Sequence, residues 1–182
     1  AVTIADGTAV KTPGDIVFPY IQKNLDDIIT VEDEELIVNF LDVVENHKMV
    51  VENSGLLTVA ALKHLNCKDK RVVSILSGGN MDIITMSSVV QHGLIERGRV
   101  FTVSVQLPDR PGELVNVANV SAQLKGNVIR LEHNQFVSIN RNAAVELKIT
   151  LEAFGHEHKQ QIVDALKEKG YDPKLENPTS LY

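Results

Sequence analysis

Apolar residues in this chain follow two periods, and the change between them near residue 98 constrains the fold more than any other feature. Before it, stretches at helical spacing alternate with short β-branched runs. After it, Phe101, Val103, Val105 and Leu107 alternate with Thr102, Ser104 and Gln106, and Val145, Leu147, Ile149 and Leu151 repeat the alternation. Successive side chains of a strand point to opposite faces, so this spacing predicts one buried face and one outward polar face. Charge changes at the same place. Residues 1–98 hold 8 Lys/Arg against 14 Asp/Glu, and residues 99–182 hold 10 against 10. Gly93 and Gly98 bracket the change and suit a joint. Two units are predicted, 1–98 and 99–182.

The first unit mixes helices and strands. Phe18, Ile21 and Leu25 follow helical spacing after Pro13-Gly14, and Ile28 to Val31 is a short strand candidate. Leu36, Ile37, Phe40, Val43 and Val44 form the stripe of an amphipathic helix. Thr30 with Asp33 fits a capping box at its entrance. Val50-Val51 leads to Ser54-Gly55 and another helix through Leu57, Ala60, Ala61 and Leu65. Arg71 to Leu76 is almost continuously apolar, which predicts a buried parallel strand. Such alternation argues for α/β layers.

The second unit reads as strand, helix, strand, strand, helix, strand. Pro108 to Gly112 turns the first strand into a helix carrying Leu114, Val117, Ala118, Ser121 and Leu124 on one face. Gly126-Asn127 opens a strand from Val128 towards Val137, and Asn140 to Asn142 turns the chain again. Ile162, Val163 and Leu166 mark a second helix closed by Gly170, and Tyr171 to Leu175 is a short fourth strand. This βαββαβ order is a ferredoxin-like layout.

Composition narrows the function. The net charge of −6 and the 4% aromatic content disfavour a nucleic-acid partner, including the RNA-binding modules that share a βαββαβ order. Cys67 is the single cysteine, so no internal disulfide forms. No apolar run reaches the roughly 18 residues of a membrane helix, and Ala1 to Gly7 lacks the features of a signal peptide, so the expected location is the cytoplasm. His156 and His158 lie two apart, which is too little for a metal site, and none is expected.

Three short segments offer chemistry. Leu76-Ser77-Gly78-Gly79-Asn80 follows the apolar run, and ligands of open α/β sheets sit at the carboxyl ends of strands. Two glycines allow a ligand ring to approach the backbone, and Ser77 offers a hydroxyl. The same string also reads as a turn with Asn80 capping the next helix. Glu52, in Val51-Glu52-Asn53-Ser54-Gly55, either points into the same crevice or is a solvated carboxylate near a helix start. Asp6-Gly7 is either a strand end or an ordinary turn.

Together these segments resemble, in order and spacing, the carboxyl-terminal part of the catalytic domain of the threonine ammonia-lyase (threonine dehydratase) family. That family belongs to the pyridoxal-phosphate enzymes of the tryptophan-synthase-β type, and serine racemase is similar. The second unit resembles an ACT regulatory domain. The fold class that the resemblance implies is α/β: a partial parallel-sheet segment of such a catalytic domain, followed by a ferredoxin-like ACT domain. Ser77 would hydrogen-bond the pyridine nitrogen of pyridoxal phosphate. Gly78 and Gly79 would line the ring, Glu52 would lie near it, and Gly7 would border it. The full enzyme would convert L-threonine to 2-oxobutanoate and ammonia. The family's Schiff-base lysine and glycine-rich phosphate loop precede the segment that starts here, so no catalytic residue is expected in this chain, which alone is expected to be inactive and to carry no pyridoxal phosphate.

By the same resemblance, Asp109, Arg110, Pro111, Gly112, Glu113 and Leu114 would bind a small effector together with a neighbouring domain's strand at Asn127, Val128 and Ile129. The free N–H groups of a helix start suit a carboxylate, although the turn is also what the fold requires. Isoleucine, valine or an adenine nucleotide are the effector candidates, and a homo-oligomer joined through the ACT domains is expected, with the outward Thr102, Ser104 and Gln106 meeting another subunit. The alternative is a free-standing amino-acid-binding regulatory protein.

Overall fold

The computed structural model describes residues 2–134 and 145–176. The expected turn at Asn140 to Asn142 and the far end of the second strand at Val137 lie outside the described residues. The chain divides into two compact units, Ala1–Gly93 and Leu94–Tyr182.

The first unit contains α1 (Phe18–Asn24), α2 (Asp33–Asp42), α3 (Leu57–Ala60) and the start of α4 (Ile83–Glu96). A wide π turn, Val43–His47, prolongs α2, and 3-10 turns at Asn53–Leu56 and Ala61–His64 flank α3. The stripe on α2 is used as its spacing predicts. Leu36, Phe40 and Val43 are buried with Ala5, Val51, Leu56, Ala60 and Val89 in one cluster. Gly93, the last residue of the first unit, lies within α4, where a side chain would run into Leu41. Gly98 turns the chain after α4, at φ +63°.

Three expectations for this unit are corrected. No strand occurs among the described residues 2–93. Arg71 to Leu76 joins no sheet, and Val73 is 89% and Ile75 71% exposed. A strand exists only through a neighbour's hydrogen bonds. Two side-chain contacts hold this segment: Thr58 Oγ1 donates to Ile75 O at 2.9 Å, and Ser74 Oγ donates to Thr58 O at 3.3 Å. Ile28 to Val31 is likewise unpaired. The helix expected from Leu57 to Leu65 is broken into a short α segment between 3-10 turns, leaving Leu65 exposed. The capping box at α2 is formed by Glu32 and Glu35, not by Thr30 and Asp33. Asp33 is freed to hold the amino-terminal segment, accepting from Thr3 Oγ1 and from Ile4 N at 3.0 Å.

Glu35 also meets His64 Nε2 at 2.9 Å and Lys63 Nζ at 3.5 Å. The His64 hydrogen bond, helped by the Glu32 backbone N–H, lowers its carboxyl from 4.5 to about 2. A carboxylate that titrates lower when folded binds fewer protons than the unfolded chain, so it stabilises above the unfolded pKa. That stabilisation is complete above about pH 4.5 and is lost as pH falls towards 2. The melting-temperature gap between the native chain and Glu35→Gln should therefore narrow over that interval. A gap independent of pH would refute the ionic cap.

The second unit has the βαββαβ order read from the sequence. It comprises β1 (Val100–Leu107), α5 (Glu113–Gln123), β2 (Asn127–Asn134), β3 (Val145–Glu152), α6 (His156–Glu168) and β4 (Lys174–Glu176). The sheet order is β2-β3-β1-β4, antiparallel throughout. Val103, Val105, Leu147, Ile149 and Leu151 form its apolar face, packed with Val117 and Val120 of α5 and Ile162, Val163 and Leu166 of α6. His158 is consumed structurally: its Nδ1 accepts from Phe154 N at 3.0 Å, so its Nε2 donates to Leu124 O at 2.6 Å.

The polar face of β1 departs from expectation. Gln106 is exposed, but Thr102 and Ser104 are buried. Thr102 Oγ1 meets Thr150 Oγ1 at 2.9 Å, and Ser104 Oγ donates to Glu146 Oε1 at 2.9 Å. Lys148 on β3 reaches over the intervening β1 to Glu176 on β4, at 2.7 Å. This pair closes over the hydroxyl row, and the Glu176 hydrogen bond raises the Lys148 pKa.

Candidate functional site

The three chemistry-bearing segments of the first unit meet. Gly7 sits in a short 3-10 turn, Asp6–Thr8, held in place by Asn53, whose Nδ2 donates to Ile4 O at 3.1 Å. Glu52 is extended and starts the 3-10 turn Asn53–Leu56, and its backbone N–H donates to Gly78 O at 3.3 Å. Gly78 has φ +78°, which favours glycine, and a Cβ there would overlap the Glu52 carboxylate. A Cβ on Gly7 would lie 2.8 Å from Ser54 Oγ and 3.6 Å from Glu52 Oε1. Gly7 and Gly78 thus both border Glu52, although 71 residues separate the two glycines in sequence.

The other expected residues lie around this meeting point. Ser77 has its side chain in solvent, and its carbonyl packs onto the bare α-carbon of Gly55. Gly79 stands clear, with Val50 O the nearest atom to its open side at 3.8 Å. Asn80 does not cap α4. Asp82 does, accepting from Ile84 N and Thr85 N at 2.9 Å each. The Thr85 hydroxyl bond is the main cause of the lowered Asp82 pKa. Sequence reasoning gave no role to Ser54 or Gly55. Ser54 Oγ and Asn53 Oδ1 are buried with no hydrogen-bond partner among the described residues. No spacing signal marks either, because the contacts that define them come from distant segments.

In the second unit, Arg110 N donates to Pro108 O at 2.8 Å, closing the turn, and Gly112 precedes α5 at φ +97°. Asp109, Arg110, Pro111 and Gly112 are exposed, while Glu113 and Leu114 are half-buried. Glu113 Oε2 accepts from Tyr171 OH at 3.3 Å. Asn127, Val128 and Ile129 are exposed at the start of β2. The register separates the two segments within one chain. Leu107 pairs with Val145 at one end of the sheet, whereas Val100 and Asn127 both pair with Glu152 at the other. At about 3.4 Å per residue, the turn and Asn127 lie roughly 20 Å apart along the sheet.

Residues 1–78 match the pyridoxal-phosphate dependent enzyme family. The similarity to individual proteins runs further along the chain. It is 37% identical over 172 residues to the L-threonine ammonia-lyase of Geobacter sulfurreducens, covering 93% of this chain and 43% of that protein. It is 33% identical over 174 residues to the L-threonine ammonia-lyase of Thermotoga maritima, covering 95% of this chain and 43% of that protein. A biosynthetic L-threonine dehydratase of Pasteurella multocida is 29% identical over 92% of this chain and 32% of its own length. The chain thus spans less than half the length of these relatives.

The Glu52 carboxylate lies against the bare side of Gly78, and the buried Ser54 hydroxyl, which has no hydrogen-bond partner among the described residues, faces Gly7. No helix among the described residues is long and apolar enough to cross a membrane.

Proposed function

We propose that the chain is the carboxyl-terminal part of a pyridoxal-phosphate-dependent threonine ammonia-lyase, with residues 99–182 forming its effector-binding ACT domain. One observation carries the reading. The similarity to L-threonine ammonia-lyases extends over 93–95% of the chain and takes in both units, not only the matched residues 1–78. The meeting of Gly7, Glu52 and Gly78 supports the cofactor end.

In this reading Ser77 donates a hydrogen bond to the ring nitrogen, and a neutral hydroxyl there leaves that nitrogen unprotonated. Gly78 and Gly79 line the ring edge, Glu52 lies beside it and Gly7 borders it. The chemistry drawn from the bound cofactor is electron withdrawal from the substrate's α-carbon, which makes its proton acidic and lets the β-hydroxyl leave. A weakly withdrawing ring suits that elimination over transamination. The anchoring lysine and the phosphate loop belong to the remainder of the enzyme. In the second unit, an effector bridges the turn Asp109 to Leu114 of one copy and Asn127 to Ile129 of another, because one chain holds these segments at opposite ends of its sheet.

The test has two arms. A polypeptide carrying this sequence behind a lysine-bearing segment should release 2-oxobutanoate from L-threonine, and residues 1–182 alone should release none. Turnover by 1–182 alone would overturn the assignment of the lysine elsewhere. A thermal-shift panel of isoleucine, valine, threonine, ADP and AMP on 1–182 tests the effector site, since a ligand at a hundred times its Kd stabilises by about 2.7 kcal/mol. A flat panel would overturn effector binding by this chain.

A further inference from the structure

A groove of about 390 Å³ runs along the second unit between α5 and the segment after α6, lined by Asn116, Asn119, Val120, Gln123, Lys169 and Tyr171. Positions 116, 119, 120 and 123 lie on one helical face, so three carboxamides form a row with Val120 at the base. Asn116, Asn119, Gln123 and Lys169 make no side-chain hydrogen bond or ion pair with the described residues. Several amides elsewhere are engaged, among them Asn24 with Tyr20 O, Asn39 with Glu35 O, Gln91 with Ser87, Asn127 with Glu152 and Gln160 with Asp164, whereas the scattered Gln22, Asn80, Gln106 and Gln161 are not. Beyond Glu113, α5 carries no charged residue, unlike α6, where Glu157, Asp164, Lys167 and Glu168 are exposed. The groove therefore gathers neutral donors and acceptors around one ammonium, and its size lies within the range of small-molecule sites.

We propose that this groove binds a small, singly charged organic carboxylate bearing a polar substituent. Lys169 pairs with the carboxylate, and the carboxamides, which both donate and accept, take the substituent. A single ammonium matches a single negative charge. A phosphate dianion calls for more, such as the bidentate fork of an arginine, and none lines the groove. Tyr171, whose hydroxyl donates to Glu113, closes one side. The site is distinct from the effector segments above: it uses the flank of α5 and the residues after α6, and it is complete within one chain.

Side-chain amide resonances report on it directly. In a ¹H–¹⁵N titration of residues 1–182 with acetate, L-threonine, 2-oxobutanoate and inorganic phosphate, the amides of Asn116, Asn119 and Gln123 should shift with L-threonine or 2-oxobutanoate, and which of the two acts identifies an amino or an oxo substituent. Asn24 and Gln160 should stay still. Lys169→Met keeps the apolar stem, removes the charge, and should weaken binding by about tenfold or more. Asn119→Leu should weaken it while leaving the exchange protection of β1 and β3 intact. The proposal is overturned if no organic acid moves these amides, if phosphate moves them as strongly, or if Lys169→Met binds unchanged. Shifts confined to the backbone of 112–114 and 127–129 would overturn it while leaving the effector reading standing.

Discussion

Replacing Phe40 with alanine is expected to destabilise the first unit by about 3–5 kcal/mol, the usual cost of removing a buried aromatic ring. Phe40 is 1% exposed and sits where α2 passes into the Val43–His47 turn. Besides Leu36 on its own helix, its neighbours in the cluster include Leu56 and Ala60 from the α3 region and Val89 from α4. No strand ladder ties these segments together among the described residues, only single links such as Asp33 with Ile4 and Glu35 with His64, and the cavity cannot be closed by moving one element. Hydrogen exchange resolved by segment should show protection in α2 falling by about two powers of ten or more, or disappearing. β1 and β3 should keep theirs, because Phe101, Val103, Leu147 and Ile149 draw their core from the second unit alone. Equal loss in both units would show one cooperative core and refute this account.

Gly55→Ala is expected to cost about 1–3 kcal/mol or more, as overpacking does. The added Cβ would fall on the carbonyl of Ser77 and against Val51 Cγ1. A flexible side chain could swing away, but a main-chain carbonyl moves only with its segment. The substitution should therefore displace Ser77 and Gly78 from Glu52. Gly14→Ala is the control, since a Cβ there meets nothing within 4 Å. The reading is a melting temperature together with the amide shift of Glu52, whose N–H donates to Gly78 O. An unchanged Glu52 resonance in a stable Gly55→Ala chain would show that the close approach does not position the site.

These effects turn on contacts whose visibility in the sequence varied. The stripe on α2 was legible because a helix repeats its own face every few residues, so Leu36, Ile37, Phe40 and Val43 declare their burial locally. The alternation through β1 and β3 was legible for the same reason. What covers the other face was not. Thr102 and Ser104 look like solvent-facing positions until Lys148 reaches over β1 to Glu176. Asp33 looked like a capping residue because it heads the helix, whereas its carboxylate is engaged by Thr3 and Ile4, thirty residues earlier.

The candidate site divides in the same way. Glu52, Ser77, Gly78 and Gly7 could each be singled out by residue type and order. That Gly78 takes φ +78° against the Glu52 carboxylate, and that Gly55 makes room for the Ser77 carbonyl, needed coordinates. Arg71 to Leu76 shows the limit most plainly: its β-branched run reads as a buried strand, yet it pairs with no strand among the described residues. By itself the sequence determined periodicity, element order in the second unit and the residue types at the site, since these follow from each residue's own geometry and its near neighbours. Only the tertiary structure decided pairing, capping partners and which glycines are obligatory. Those depend on atoms brought together from distant parts of the chain, and no local pattern encodes the approach.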